Sequence, residues 1–287
     1  VLAKVIVDCT GDADVAARAD APFKFVERSG VSMNLRMVRV DVDKFARAMM
    51  KEGVVRHLGR AVKIGGEKES VVRVGCGLEP WRDEIEKHGA GIRHILATSV
   101  REGDLTHMNC TGIPVNGIDV KEMTKAAIHL HRQIRNVAAF FHDSIPGFEN
   151  AYLVATGPLL GVRRTRLIEA VFDIPRDYVL RGEGAEDEIG RFGFIDMREY
   201  KVKDAGSFGI PYRSLIPKGI EGILIAGRSM STDQVVHNAT RNVGCCMVTG
   251  QAAGTAAALA VQEKVLPSGL DAQLLRKVLA ENSVYFE

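Results

Sequence analysis

Two stretches of this chain run from β-branched residues straight into glycine: Ile6-Val-Asp-Cys-Thr-Gly-Asp12 and Ile223-Leu-Ile-Ala-Gly-Arg228. In nucleotide-binding α/β folds, ligands sit outside the carboxyl ends of such strands. Glycine there lets a ligand approach the backbone, because no Cβ stands in the way. The plainer reading is that every buried strand needs a turn at its end, and spacing by itself favours that reading. The segment after the second turn is more particular. Its helix carries Gly250, Gly254 and Ala258 four residues apart, with Ala253 and Ala257 beside them. One helix face is therefore almost free of side chains. Such a face suits close packing against a sheet or a flat ligand, and ordinary helix–sheet packing would use it equally well.

The elements that must position these turns read as a mixture of strands and helices. Residues 5–7 form a buried strand, and Asp14 is placed to N-cap a short Ala-rich helix reaching Ala19. Residues 31–40 alternate as one half-buried strand, and Asp41 or Asp43 caps a helix through Lys51. Residues 53–103 read as strands, loops and a short helix. Asp119, with Glu122 three residues on, forms a capping box. A long amphipathic helix runs from there to Ser144, apolar at Met123, Ala127, Leu130, Ile134, Val137 and Phe141, and Pro146-Gly147 stops it. Residues 159–174 are extended, and 185–191 suggest a helical turn. Residues 223–226 form a second buried strand. A helix spans residues 245–264, and Asp271 caps a last one ending near Asn282.

Composition narrows the class. Lys and Arg total 38 against 36 Asp and Glu, a net charge of +2 that supports neither a nucleic-acid nor an anionic-membrane partner. The five cysteines are odd in number and lack CxxC spacing, so no disulfide framework and no metal site is expected. A reducing, cytoplasmic compartment fits best. The longest weakly polar run, residues 248–261, contains Gln251 and Thr255. It falls short of the roughly 20 residues that a bilayer span needs, so a soluble protein is expected. The chain opens on Val1, directly at a buried-strand pattern. That opening implies sequence upstream, removed by truncation, cleavage or disorder.

Several segments together carry a resemblance. Asp8-Cys-Thr-Gly-Asp-Ala-Asp-Val-Ala-Ala-Arg18 resembles the DATGDGDLAAR segment of a family of FAD-dependent oxidoreductases. Gly161-Val-Arg-Arg-Thr-Arg166 is similar to its GVRESR, and Ile210-Pro-Tyr-Arg-Ser-Leu-Ile-Pro217 to its IPYRSLLP. Leu224-Ile-Ala-Gly-Arg228 resembles LVAGR, and Arg241 with Cys246-Met-Val-Thr-Gly-Gln-Ala-Ala-Gly254 resembles R…CMALGQAAG at the same spacing. Asn109-Cys-Thr111 and Pro146-Gly-Phe-Glu-Asn150 also look familial. Two departures are local: Ala13 stands where the family has glycine, and Arg164-Thr165 where it has Glu-Ser. One is large. The family's GxGxxG phosphate cradle is absent, and Gly75-Cys-Gly77, Gly89-Ala-Gly91 and Gly182-Glu-Gly184 all lack the third glycine.

The resemblance implies an α/β fold: the C-terminal half of a Rossmann-like FAD-binding domain with an inserted mixed α+β substrate region. Residues 1–25 and 215–265 belong to the FAD domain, 26–214 to the substrate side, and 266–287 to a C-terminal helix. FAD is the implied cofactor, with Thr10, Gly11 and Asp12 beside it and Gly227-Arg228 near its ribityl chain. The start of the Cys246–Ala260 helix would face the flavin, with Cys246, Met247 and Gly250 at the cofactor. Arg163, Arg166, Arg213 and Arg241 lie in the matching motifs. They could clamp the carboxylate or phosphate of a small, anionic substrate, or pair structurally with Glu169, Asp196 or Asp233. Tyr212 and His237 are candidate acid–base groups, although a single histidine is more often a packing residue. Cys245-Cys246 could be a redox pair, whereas the family pattern implies a small buried residue at Cys246. The implied reaction is hydride transfer between a small organic substrate and flavin. The rival reading is a non-catalytic fragment or subunit that binds no FAD by itself, its missing half lying upstream or on a separate chain.

Overall fold

The computed structural model describes residues 2–197, 199–230 and 232–286. In chain order the elements begin with strand β1 (Ile6–Asp8), helix α1 (Asp14–Arg18), β2 (Phe23–Phe25), β3 (Ser29–Ser32), β4 (Leu35–Val38) and α2 (Val42–Lys51). Next come β5 (Val55–Val62), β6 (Glu69–Gly77), α3 (Arg82–His88), β7 (His94–Thr98), β8 (Asp104–Asn109), β9 (Ile113–Val115) and α4 (Val120–Ser144). The chain continues through β10 (Tyr152–Thr156), β11 (Gly161–Val162), β12 (Arg166–Ile168), α5 (Arg176–Arg181), β13 (Glu188–Phe192) and β14 (Phe208–Pro211). It ends with β15 (Ile223–Ile225), α6 (Gln234–Thr240), α7 (Val243–Glu263) and α8 (Ala272–Glu281). Packing divides it into two compact units, one of Arg28–Val162 and one of Val1–Glu27 with Arg163–Glu287. Residues 163–214, which the sequence grouped with 26–162, thus pack with the two end segments.

The unit of residues 28–162 is built on an antiparallel sheet in the order β10-β4-β8-β7-β6-β5. Helix α4 buries Leu130, Ile134, Val137 and Phe141 completely, and Ala126 is buried where Ala127 was expected. Phe141 lies 4.8 Å from the Phe148 ring, and Phe148 meets Phe45 edge-on at 5.3 Å. Asp119 caps α4 by accepting from Lys121 N and Glu122 N at 2.8 and 3.0 Å. The capping box is incomplete, because Glu122 accepts from Asn116 N at 3.0 Å instead of reaching back to Asp119. Residues 31–40 form two strands in different sheets, not one. The Thr111 hydroxyl breaks the run by donating to Met33 O (2.6 Å) and accepting from Met33 N (3.2 Å).

In the other unit, β1 and β15 pair in parallel, with Ile6 opposite Ile223 and Asp8 opposite Ile225. The buried Asp8 carboxylate organises the turn beyond β1. It accepts from Thr10 N (3.0 Å), Thr10 Oγ1 (2.7 Å), Val15 N (3.1 Å) and Ala16 N (2.8 Å). The first turn of α1 is therefore capped from the end of β1, and not by Asp14, whose carboxylate goes to Arg166 at 2.9 Å. Ala13 keeps a left-handed backbone at φ 55°, the conformation that favours the glycine it replaces.

Residues 188–192 form strand β13 rather than a helical turn, and the helix lies earlier, in α5. Gly190 sits at φ +142°, which no helix accommodates. Helix α7 starts at Val243 and runs for 21 residues, long and apolar enough by length and composition to cross a membrane. It is thus longer than the run of residues 248–261 suggested. Cys245, Thr249, Ala252, Ala253, Ala256 and Ala260 are its buried residues. The small-residue face is not the packed one: a Cβ at Gly250 or Gly254 would meet nothing within 4 Å. Close approach occurs instead at Gly190, where a Cβ would lie 2.7 Å from Val248 Cγ1.

Candidate functional site

The parallel pair brings its two glycine turns to one edge. Asp8 O accepts from Ala226 N at 3.1 Å, so the chain beyond β1 and the chain beyond β15 leave the sheet side by side. Gly11 and Gly227 both turn through positive φ, at 80° and 84°. Between the turns lies a cavity of about 350 Å³ lined by Cys9, Thr10, Gly11, Ala226, Gly227, Arg228, Arg241 and Cys246. Six of these are residues picked from the sequence. Cys9 and Ala226 were missed, although each directly follows or ends a strand that was recognised.

Arg228 is held in the cavity wall through both its side chain and its backbone. Its Nη1 donates to Asp12 Oδ1 at 2.8 Å, and the same oxygen accepts from the buried Thr165 hydroxyl at 2.5 Å. A Cβ at Gly11 would lie 2.8 Å from Arg228 Nε, so glycine is required for the guanidinium to lie where it does. His237 Nε2 donates to Arg228 O at 3.0 Å. Asp12 therefore acts from behind the cavity wall, holding Arg228 and the segment around Thr165 together.

The remaining sequence candidates divide by their partners. Tyr212 is buried and donates to Pro267 O at 2.8 Å, and burial pushes its phenol well above the ordinary range. It lies outside the cavity lining. His237 is almost wholly buried, and desolvation lowers it to about 3, with Arg164, Arg241 and Arg228 adding to the effect. A neutral imidazole bound to a backbone carbonyl is a positioning group, not a general base tuned for neutral pH. Its Nδ1 has no hydrogen-bond partner among the described residues. Arg166 donates to Asp12 O and to Asp14, each at 2.9 Å, and Arg213 pairs with Asp187 over the Phe172 ring. Both are structural ion pairs. Arg241 pairs with Asp196 at 2.6 Å and still lines the cavity. Arg163 has no hydrogen bond or ion pair among the described residues, and neither has Arg164, which the sequence reading passed over.

On α7, Cys246 reaches the cavity while Cys245 is buried in the core, and both are free thiols. Met247 is 70% exposed and, as the fifth residue of the helix, has its N–H inside the helical ladder. The unsatisfied N–H groups belong one turn earlier, to residues 243–245, because Asn242 is the N-cap and its side chain donates back to Asn238 O and Ala239 O instead of accepting from those N–H groups. Gly250 lies away from the cavity lining.

A family model described as FAD dependent oxidoreductase matches residues 1–279. The chain belongs to that family. Comparison with curated proteins and with solved structures found no match. Membership gives the protein a flavin-linked redox role, FAD as cofactor and a Rossmann-like FAD-binding fold. The residues present fit part of such a cofactor. Their cavity stands at the carboxyl ends of parallel strands, as nucleotide sites do, and two arginines line it. Its volume is at the lower end of the roughly 300–1,000 Å³ typical of ligand sites, enough for one portion of a dinucleotide.

Proposed function

We propose that this FAD-dependent oxidoreductase exchanges a hydride between a small organic substrate and FAD seated at the carboxyl ends of β1 and β15. The observation that carries the reading is the cavity between the two glycine turns, with Arg228 fixed in its wall by Asp12, Gly11 and His237. Bound FAD supplies the two-electron chemistry. The chain supplies position and charge. Arg228 and Arg241 present cations to the cofactor or substrate, and the neutral His237 holds the Arg228 backbone without adding a third charge. The positive end of α7 adds about half a charge near Cys246.

The chain contains no GxGxxG. In this reading the pyrophosphate cradle comes from a strand–glycine–helix segment outside these residues, added to the open edge of β1. Two observations support that placement. Among the described residues β1 pairs only with β15, and Ile6 is 39% exposed. The Gly250–Gly254 face of α7 is bare as well. The rival reading, a scaffold subunit that binds no FAD, is also favoured by the missing motif.

Reconstitution separates them. The isolated chain should take up FAD weakly, and the chain co-produced with a cradle-bearing segment should hold it stoichiometrically. Substrate added without oxygen should then bleach the visible flavin band. Tight uptake by the isolated chain would make the cradle dispensable. No uptake by the assembled protein would favour the scaffold.

A further inference from the structure

Helix α3 ends on His88, and both nitrogens of its ring are engaged. Nδ1 lies 2.7 Å from Glu84 O, one turn back on the same helix. Nε2 lies 3.1 Å from Asp143 Oδ2 on α4. A carbonyl oxygen and an ionised carboxylate only accept hydrogen bonds, so each ring nitrogen must donate. A neutral imidazole carries one N–H, and the imidazolium carries two. We propose that His88 and Asp143 form a pH-sensitive latch, which fastens the end of α3 to α4 while His88 is an imidazolium and releases it when the ring is neutral.

The surroundings favour the cation. The bond to Glu84 O, and then the Asp143 carboxylate, raise His88 above its ordinary 6.5, against partial desolvation and the charge of Lys87. Among the described residues, the charged groups acting on the ring are Asp143 from α4 and Lys87 from its own helix. His142 meets the other oxygen of the same carboxylate, with Nδ1 2.8 Å from Asp143 Oδ1. Asp143 lies in the last turn of α4, where free carbonyls oppose an anion. His142 and then His88 nevertheless hold it below the usual carboxylate range. Asp143 is thus ionised wherever His88 titrates, and the histidine is the group that switches.

Loss of the proton breaks one contact and spares its neighbours. The proton that stays is the one on Nδ1, because Glu84 O has none to give. Nε2 then turns a lone pair toward the carboxylate, and attraction becomes repulsion. The other contacts between this end of α3 and α4 do not titrate. Asn136 Nδ2 donates to Gly89 O at 3.1 Å, and Gln133 Nε2 donates to Ala90 O and Gly91 O at 3.1 and 3.2 Å. The Phe140 ring lies 6.0 Å from that of His88. The loop after α3 is therefore held at every pH, and release is confined to the last helical turn. Asp143 is 55% exposed, so the ion pair is well screened and its loss opens the turn locally without unfolding the unit. The folded value of His88 lies above the unfolded one. The latch therefore contributes fully below pH 6.5 and is lost as pH rises through the folded value.

NMR of the protein tests this and needs no flavin. His88 should titrate above pH 6.5, with protons on both ring nitrogens below its midpoint. Protection of the amides of residues 86–88 from hydrogen exchange, corrected for the intrinsic rise with pH, should fall several-fold across that midpoint. Amides of α2, in the same unit, should keep theirs. Asp143→Asn should lower the midpoint and flatten the fall, and His88→Gln should abolish it. A His88 midpoint at or below 6.5 in the wild type would overturn the proposal. So would pH-independent protection of residues 86–88, or an undiminished fall in either variant.

Discussion

Replacing Gly11 with alanine tests the contact on which the cavity wall depends. Two costs are separable. Alanine at φ +80° carries left-handed backbone strain, about 1–2 kcal/mol. The new Cβ would also lie 2.8 Å from Arg228 Nε and 3.0 Å from its Cζ and Nη2. The guanidinium must shift, and as much as its whole bond to Asp12 is at stake. Both partners are under a quarter exposed, at 23% and 21%, so a charge-assisted bond worth about 1.5–3 kcal/mol is at stake. Gly219→Ala is the internal control, since Gly219 has φ +73° and open space around it. It should lose only the strain, about 1–2 kcal/mol, while Gly11→Ala loses about 2.5–5 kcal/mol. Urea unfolding measures both, and the melting temperature of Gly11→Ala should fall on the order of 10 °C. Adding Arg228→Gln to Gly11→Ala should remove the excess, as a double-mutant cycle requires for coupled groups. Equal losses in Gly11→Ala and Gly219→Ala would refute the argument, because Arg228 would then be free to move aside.

The same geometry predicts the outcome of other changes. Gly250→Ala should stabilise the chain by about 0.5–1 kcal/mol, since an interior helix glycine meets nothing there; a loss in thermal unfolding would show that the face is covered. Asp8→Ala should cost about 2–4 kcal/mol by stranding the N–H groups of Thr10, Val15 and Ala16, and an unchanged urea midpoint would contradict the cap. His237 should show no imidazole titration between about pH 5 and 8 by NMR. Its folded value, about 3, lies below the ordinary 6.5, so the unfolded chain takes up the proton first as pH falls. Its contribution to stability is therefore complete above pH 6.5 and is lost between there and about 3, at about 1.4 kcal/mol per pH unit. His237→Phe should flatten that slope.

The turns at Gly11 and Gly227 were legible because their residue types are dictated locally. A β-branched run ending in glycine specifies both the strand and the backbone that leaves it. The caps at Asp41, Asp119 and Asp271 were legible for the same reason. Local pattern failed where a distant group took over a local role. Asp8 caps α1 from across a turn, Thr111 interrupts residues 31–40 from 78 positions away, and neither leaves a mark in the segment it changes. Four-residue glycine spacing showed that one face of α7 is smooth. It could not show that burial falls on the neighbouring stripe of Cys245, Thr249, Ala252 and Ala256. The arginines illustrate the same limit: all four candidates look alike in sequence, and only their partners reveal that Arg166 and Arg213 are already paired while Arg163 is not.

Cofactor protection of the cavity thiols tests the central claim most directly. Cys9 is exposed and lines the cavity with Cys246, whereas Cys76, Cys110 and Cys245 are buried and serve as internal references. Alkylation of each cysteine is monitored by peptide mass spectrometry in the flavin-loaded protein and after the flavin has been stripped. FAD seated at the carboxyl ends of β1 and β15 should slow labelling of Cys9 several-fold and leave the buried references unchanged. Labelling of Cys9 at the same rate with the flavin bound would place the cofactor elsewhere and contradict the account.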